Sequence, residues 1–144
     1  MNICFASDNS GIKKLALDNV KGFREVFSPL PEFIDILVLN GDCDVSNYID
    51  SNIDTCIFDS NYSLKVSELK NVNSVISCGM QGLDSVTFSS ISDTTALVCI
   101  RRRIVFANTI IDPCEFKTPF DSRIGIFHNL VISILDFLTD IKGE

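Results

Sequence analysis

The gaps between apolar segments change length in the middle of this chain, and this change constrains the fold more than any other feature. Before residue 78 the gaps are long enough for a helix or a helical turn, whereas after residue 85 they fit only a turn. Parallel strands need long crossovers, while antiparallel strands can be joined by tight turns. The sequence therefore predicts parallel strands at residues 2–6, 34–39, 55–58 and 74–77, then antiparallel strands at residues 86–91, 96–101, 104–106 and 109–111.

The strongest helical pattern lies at the carboxyl end of the chain. From residue 122 or 123 to residue 141, apolar side chains recur at the spacing of one helix face. They are Ile124, Phe127, Val131, Ile134, Leu135 and Leu138. Shorter helical patterns occupy residues 12–23, 45–51 and 64–69, and the proline-containing residues 112–119 are predicted to be irregular.

Together these patterns predict a single α/β domain over residues 1–144. Strands alternating with helices are typical of a mainly parallel sheet that is covered on both faces. The predicted architecture is a Rossmann-like three-layer sheet, parallel in its first half, with antiparallel strands after residue 85 and the C-terminal helix covering one face. A chain of 144 residues, with 46% hydrophobic and 22% charged residues, is long and apolar enough to bury such a core.

The loop between the two halves, Cys78-Gly79-Met80-Gln81-Gly82, is the first candidate binding site. Ligands of open α/β sheets favour the carboxyl ends of strands where the topology changes. Glycines also let the backbone adopt a positive φ or approach a ligand closely, although a turn alone would need them too. We therefore predict ligand contacts from Cys78, Gly79, Gln81 and Gly82.

The composition limits the partners and the compartment. A net charge of −7 and a pI of about 4.6 argue against nucleic acid and against anionic membranes as partners. No apolar run approaches the roughly 20 residues of a membrane span, and residues 1–8 lack the pattern of a signal peptide. The six cysteines form no CxxC pair, which predicts neither a disulfide framework nor a zinc site. These features predict a cytoplasmic protein.

Motifs for catalysis and for cofactor binding are absent. Residues 7–14 follow the first predicted strand, but they lack the first glycine and the lysine of the phosphate loop GxxxxGK[ST]. A capped helix and a phosphate site are the two alternatives for this segment. The dinucleotide motif GxGxxG, the nucleophile motif GxSxG and a calcium loop are missing as well. The sequence predicts no catalytic residue, no metal ligand and no cofactor, and it favours a protein that is not an enzyme.

Two further features of the sequence could contribute charged side chains to a binding site or a catalytic site. His128 is the only histidine and lies near the start of the last predicted helix, where a structural role and an acid–base role both stay open. A catalytic pairing of Cys78 with His128 is the corresponding alternative for an enzyme. Residues 101–103 are three consecutive arginines, predicted on a strand or hairpin, where they would form ion pairs, protect a sheet edge or bind an anion.

Four segments resemble the central, ATP-binding domain of the Mur ligase family, enzymes that add amino acids to peptidoglycan precursors. Residues 38–42 (VLNGD) resemble the strand end vlNaDD of that family, and residues 76–80 (ISCGM) resemble its strand itYGl. Residues 84–91 and the hairpins after them resemble the antiparallel strands that follow, and residues 125–129 (GIFHN) resemble the helix start GrHNxxN. The resemblance implies ligand contacts from His128 and Asn129, which match the family's motif by position.

The chain also departs from the family. The phosphate loop GTNGKT is absent from residues 7–14, the segment with metal-binding acids is missing, and Ile132 replaces the second asparagine of HNxxN. The resemblance therefore implies a shortened relative without ATP chemistry. We expect a non-catalytic binding or regulatory domain, with a cell-wall precursor or a nucleotide as its ligand. The alternative is an acidic protein–protein interaction module, such as an inhibitor or an immunity protein. The sequence predicts no particular oligomeric state.

Overall fold

The computed structural model describes residues 2–6, 11–20 and 32–141. The strands are β1 (Ile3–Phe5), β2 (Phe33–Leu39), β3 (Asn52–Asp59), β4 (Asn71–Cys78), β5 (Val86–Ile91), β6 (Thr95–Ile100), β7 (Ile104–Phe106), β8 (Thr109–Ile111) and β9 (Cys114–Pro119). The helices are α1 (Ile12–Asn19) and α2 (Ile126–Ile141), with short 3-10 segments at Ser46–Tyr48 and Ser60–Glu68. No helix in the described ranges has the length and apolar character needed to cross a bilayer.

Seven of the described strands form one sheet in the order β1-β2-β3-β4-β5-β6-β9. The strands from β1 to β5 are parallel, whereas β6 and β9 pair in antiparallel fashion. The predicted change of pairing after residue 85 is confirmed with one correction. β5 is still parallel to β4, through the single pair Cys78 and Val86, so antiparallel pairing begins between β5 and β6.

Two apolar clusters occupy the two faces of the sheet. The larger cluster joins the sheet to α1 and α2 and includes Ile36, Ile57 and Leu135. The smaller cluster contains only residues of β1 to β4 and their connections, such as Leu37 and Cys56. α2 therefore covers one face, as predicted, whereas on the other face the 3-10 segments cover only the parallel half.

The strands β2, β3 and β4 share an irregularity near their amino ends. Their pairing skips Asp35, Asp54 and Asn73, which occupy one row across the three strands. The N–H groups of Asp35 and of the next residue both donate to the carbonyl oxygen of Asn2, at 3.1 Å each, and the register of β2 with β3 is the same on both sides of the skipped row. In β2 the side chains stop alternating regularly between the two faces of the sheet at this point. Two residues that are three positions apart, and would otherwise lie on opposite faces, belong to the same apolar cluster.

The prediction of an irregular segment at residues 112–119 is wrong, because this stretch contains β9. The strand pairs along its whole length with β6 and lies at the edge of the sheet. Edge strands tolerate charged residues and proline, since one side of their backbone has no partner strand. The stretch was predicted to be irregular because it contains Glu115, Lys117 and Pro119, although these residues are compatible with an edge strand.

Two hairpin predictions also need correction. β7 and β8 do not extend the main sheet but form a two-stranded sheet of their own. The hydroxyl of Ser74 on β4 donates to the carbonyl of Val105 at 3.2 Å, which places this hairpin beside β4. The three arginines at residues 101–103 lie between β6 and β7 and not on a strand, and Arg103 pairs with Asp112 at 3.2 Å.

The helix predictions are correct in position but not in their bounds. α2 begins at Ile126 and not at residue 122 or 123, because Asp121 Oδ1 accepts the N–H of Arg123 and holds a turn there. Residues 45–51 form only the 3-10 segment Ser46–Tyr48. The end of the first predicted helix, with Phe23, and residues 7–10 of the phosphate-loop comparison lie outside the described residues.

Candidate functional site

The predicted binding loop is closed by its own backbone and by one carboxylate. The N–H of Gly79 donates to the carbonyl of Val86, and the N–H of Asp84 donates to the carbonyl of Gln81, both at 3.2 Å. The Asp84 carboxylate accepts the N–H of Gln81 at 2.8 Å. The Arg101 guanidinium donates to the Gln81 carbonyl at 3.4 Å. These bonds fix the loop at the carboxyl end of β4.

The space beside Gly79 is filled by two polar side chains. A Cβ atom at this position would lie 2.7 Å from Asp84 Oδ2 and 3.0 Å from Ser60 Oγ. Asp84 is only 2% exposed. Its Oδ1 atom and Ser60 Oγ are buried, and neither has a hydrogen-bond partner within the described part of the chain. Buried oxygens of this kind are uncommon, and a donor group from outside the chain would be favourable beside them.

Cys78 ends β4 and is completely buried beneath the loop. Burial raises the pKa of its thiol far above the usual value, and the charges of Asp84 and Asp59 raise the pKa further. A nucleophilic cysteine needs a depressed pKa and access from solvent. Cys78 has neither property, and its side chain belongs to the larger apolar cluster.

The cysteines differ in accessibility, which predicts the order in which they react. Cys114 is exposed and Cys99 is half-buried, whereas the remaining cysteines are buried. We expect a colorimetric thiol reagent to modify Cys114 first, and Cys78 only after unfolding in urea. The variant Cys114→Ser should lose the fast phase. Rapid labelling of Cys78 in the folded chain, located by peptide mass spectrometry, would contradict the assignment of a buried structural thiol.

Three large apolar side chains project around the loop. Tyr62, Met80 and Leu83 are 43%, 53% and 79% exposed, respectively. Tyr62 lies at a kink in the 3-10 segment that follows β3, so the loops after two neighbouring parallel strands both contribute. The side-chain amide of Gln81 donates to Asn61 Oδ1 at 2.7 Å and ties these two loops together. We refer to these five residues as the loop surface.

Asn61, Tyr62 and Asp84 were not predicted from the sequence as site residues. A signal existed for the first two, because they directly follow the third predicted strand. The carboxyl ends of neighbouring parallel strands meet at one edge of a sheet, next to the loop after the fourth strand. No comparable signal existed for Asp84, because its burial depends on the close approach of Ser60 and Gly79.

His128 and Asn129 lie in the first turn of α2. Asn129 Oδ1 accepts the N–H of Asp121, and Asn129 Nδ2 donates to the carbonyls of Asp121 and Gly125, each at 3.0 Å. These bonds give Asn129 a structural role in the turn before the helix. Burial lowers the pKa of His128, whose ring lies 6.3 Å from the Phe127 ring between centroids.

Asn129 also lines a cleft of about 220 Å³ between α1, the end of β9 and α2. Leu15, Phe120, Ile124 and Ile132 are among the other residues that line it. No residue of the loop at 78–85 belongs to this cleft. The structure thus brings Cys78, Gly79, Gln81 and Gly82 together, but His128 and Asn129 form a separate group on α2.

Neither metal ligands nor relatives add to this description. Within residues 2–6, 11–20 and 32–141, no group of three His, Cys, Asp or Glu side chains could hold a metal ion. Comparison of the chain with protein-family models, curated proteins and solved structures finds no significant match in any of the three. Function is therefore inferred from the loop surface and the cleft themselves.

Proposed function

We propose that this chain is a non-catalytic binding domain that recruits a basic protein through the loop surface. The observation that carries the proposal is the concentration of Tyr62, Met80 and Leu83 on two loops that are tied together. The centres of protein interfaces are enriched in aromatic residues, methionine and arginine. Arg101 lies at the same edge, where its guanidinium contacts the Gln81 carbonyl.

Hydrogen bonds restrain part of the loop surface before any partner binds. The hydroxyl of Thr87 donates to the sulfur of Met80 at 3.4 Å, and the N–H of Asn61 donates to Asp59 Oδ1 at 3.0 Å. The Asp84 carboxylate fixes the backbone of the loop from below. A surface that is already ordered loses less conformational entropy on binding, and so retains more of its interaction energy.

The preference for a basic partner rests on the net charge of the whole chain, because the loop surface itself contains no carboxylate. The sequence contains 19 acidic and 12 basic residues, for a net charge of −7. Attraction between such a chain and a basic protein accelerates association, and salt screens this attraction. We therefore expect the association rate to fall as the ionic strength rises, while the apolar contacts govern dissociation.

The proposal is tested by affinity capture with the parent chain and two variants. The double variant Met80→Ser/Leu83→Ser removes the apolar side chains, and Ile91→Ser removes one that is also exposed, by 42%, but lies at the end of β5. Truncation of one hot-spot side chain costs about 2 kcal/mol or more, so if either Met80 or Leu83 is a hot spot we expect binding of a basic protein to fall at least ~30-fold in the double variant only. Equal capture by both variants would refute the proposal.

A small ligand at Cys78, Gly79, Gln81 and Gly82 is the second candidate function. The buried oxygens of Asp84 and Ser60 favour it, because a ligand that opened the loop would bring N–H or O–H groups to two oxygens that are otherwise without a partner among the described residues. Titration with ATP and with amine-bearing sugars, followed by NMR of the loop amides, tests this candidate. Saturable shifts at Gly79 and Gln81 support it, and their absence at millimolar ligand refutes it.

Three broader assignments are also proposals. The first two are a Rossmann-like classification and kinship with the Mur ligases, which would imply a cell-wall precursor or a nucleotide as ligand. Both draw support from the parallel strands that are followed by antiparallel strands. The strand order advances from β1 to β6 without a reversal, so it offers no switch point of the Rossmann type. A cytoplasmic location draws support from the six free cysteines.

A further inference from the structure

The geometry points to a second binding site, in which the cleft between α1 and α2 takes a small organic cation with an apolar body. The cleft of about 220 Å³ has apolar walls from Leu15, Phe120, Ile124 and Ile132. Concave sites that combine apolar walls with a few polar groups are where proteins hold small molecules. The polar groups of this cleft decide which molecules fit.

The uncharged polar side chains of the cleft already have hydrogen-bond partners within the chain. Thr118 Oγ1 and Ser133 Oγ are 3.0 Å apart, and Ser133 Oγ donates to the carbonyl of Asn129 at 2.8 Å. Asn129 is bonded to the turn before α2. The side chain of Asn19 donates to the carbonyl of Leu15 at 2.8 Å. None of these groups therefore has to be satisfied by a ligand.

Two carboxylates also line the cleft, and they differ in charge compensation. Asp121 is neutralised by the Arg123 guanidinium, whose Nε and Nη2 atoms donate to its two oxygens at 3.0 Å each. This pairing lowers the pKa of Asp121. Asp136 is only partly exposed, and no cation from the described residues pairs with it. Asp136 is the one lining group with uncompensated charge in the described part of the chain.

The position of Asp136 on α2 makes a cation beside its carboxylate more favourable. Asp136 and Asp140 are four residues apart, a spacing at which like charges on a helix repel each other. Both lie toward the carboxyl end of α2, where the helix dipole is negative, and the last turn of α2 has no basic residue. An ammonium group beside Asp136 would offset both effects, while its apolar substituent would contact Leu15 and Ile132.

The test uses the whole chain, labelled with ¹⁵N, and titrates it with benzylamine and with benzyl alcohol. The two probes share an aromatic ring, but only benzylamine carries a positive charge. We expect benzylamine to give saturable shifts of the amides of Ile132, Ser133 and Asp136. Benzyl alcohol should bind at least ~10-fold more weakly, because its neutral hydroxyl forms no ion pair with the Asp136 carboxylate. Equal affinity for the two probes, or shifts confined to other surfaces, would overturn the inference.

Two matched variants test whether the carboxylate of Asp136 is the group that binds the ammonium ion. Asp136→Asn should weaken benzylamine binding ~10-fold or more, whereas Asp140→Asn, with the same loss of charge at an exposed position, should change it less than ~3-fold. Equal effects of the two substitutions would mean that only the overall charge matters, and this would also overturn the inference. If Asp136→Asn does not fold, the comparison of the two probes on the parent chain decides the question.

Discussion

We expect Leu135→Ala to lower the free energy of unfolding by about 2–5 kcal/mol. Leu135 is fully buried in the larger apolar cluster, on the face of α2 that packs against β4 and β5. Removal of its side chain forfeits apolar burial and leaves a cavity that Val131 and Leu138 can fill only in part. Since a domain is stable by only about 5–15 kcal/mol, the midpoint of a urea melt should fall markedly.

His128→Asn is the control on the same helix. Its side chain is half-buried and lies in the first turn of α2, so we expect a loss of less than about 1 kcal/mol. The two variants and the parent are compared in urea melts with equal slopes. If Leu135→Ala melted like the parent while His128→Asn lost several kcal/mol, the buried face of α2 would be misassigned. His128 would then again be a candidate site residue.

The buried face of α2 could be predicted because one physical cause dominates it. Val131, Ile134, Leu135 and Leu138 recur at helical spacing, and burial of such a stripe is the main source of helix stability in proteins. The short gap between β5 and β6 acted in the same way. A short gap cannot hold a crossover helix, so the strands after β5 had to be antiparallel.

Other features depend on tertiary context that a local pattern does not contain. β9 carries Glu115, Lys117 and Pro119, which fit a strand only because it lies at the edge of the sheet. The irregular pairing at Asp35 and Asp54 depends on the alignment of three separate strands. Neither the edge position of β9 nor the alignment of the three strands can be recognised from a local sequence pattern.

The position of the candidate binding loop after β4 was predicted from the sequence, but its surroundings were not. Gly79 and Gln81 follow directly from the position of the loop after the fourth strand. The contacts of Asp84 with Gly79 and of Asn61 with Gln81 depend on how closely the ends of β3 and β4 approach each other. Such distances are set by packing, which no spacing in the sequence encodes.

Gly79→Ala should lower the free energy of unfolding by about 1–3 kcal/mol, because the added methyl group overpacks a filled space. The new Cβ atom would lie 2.7 Å from Asp84 Oδ2 and 3.0 Å from Ser60 Oγ, so a neighbour has to move. The Asp84 carboxylate is buried and accepts the Gln81 N–H, so its movement weakens a charge-assisted hydrogen bond. Urea melts of the parent and the variant measure the loss.

Gly82→Ala is the matched control, because the same methyl group is added to the same loop without a steric cost. No atom lies within 4 Å of the Cβ position at Gly82. Alanine also restricts the unfolded chain more than glycine, so we expect stability between unchanged and about 1 kcal/mol higher. A loss of stability in both variants would indicate that the loop needs glycine for its backbone and not for packing. A loss in neither would show that Asp84 and Ser60 yield easily, and that the loop is less ordered before binding than its hydrogen bonds indicate.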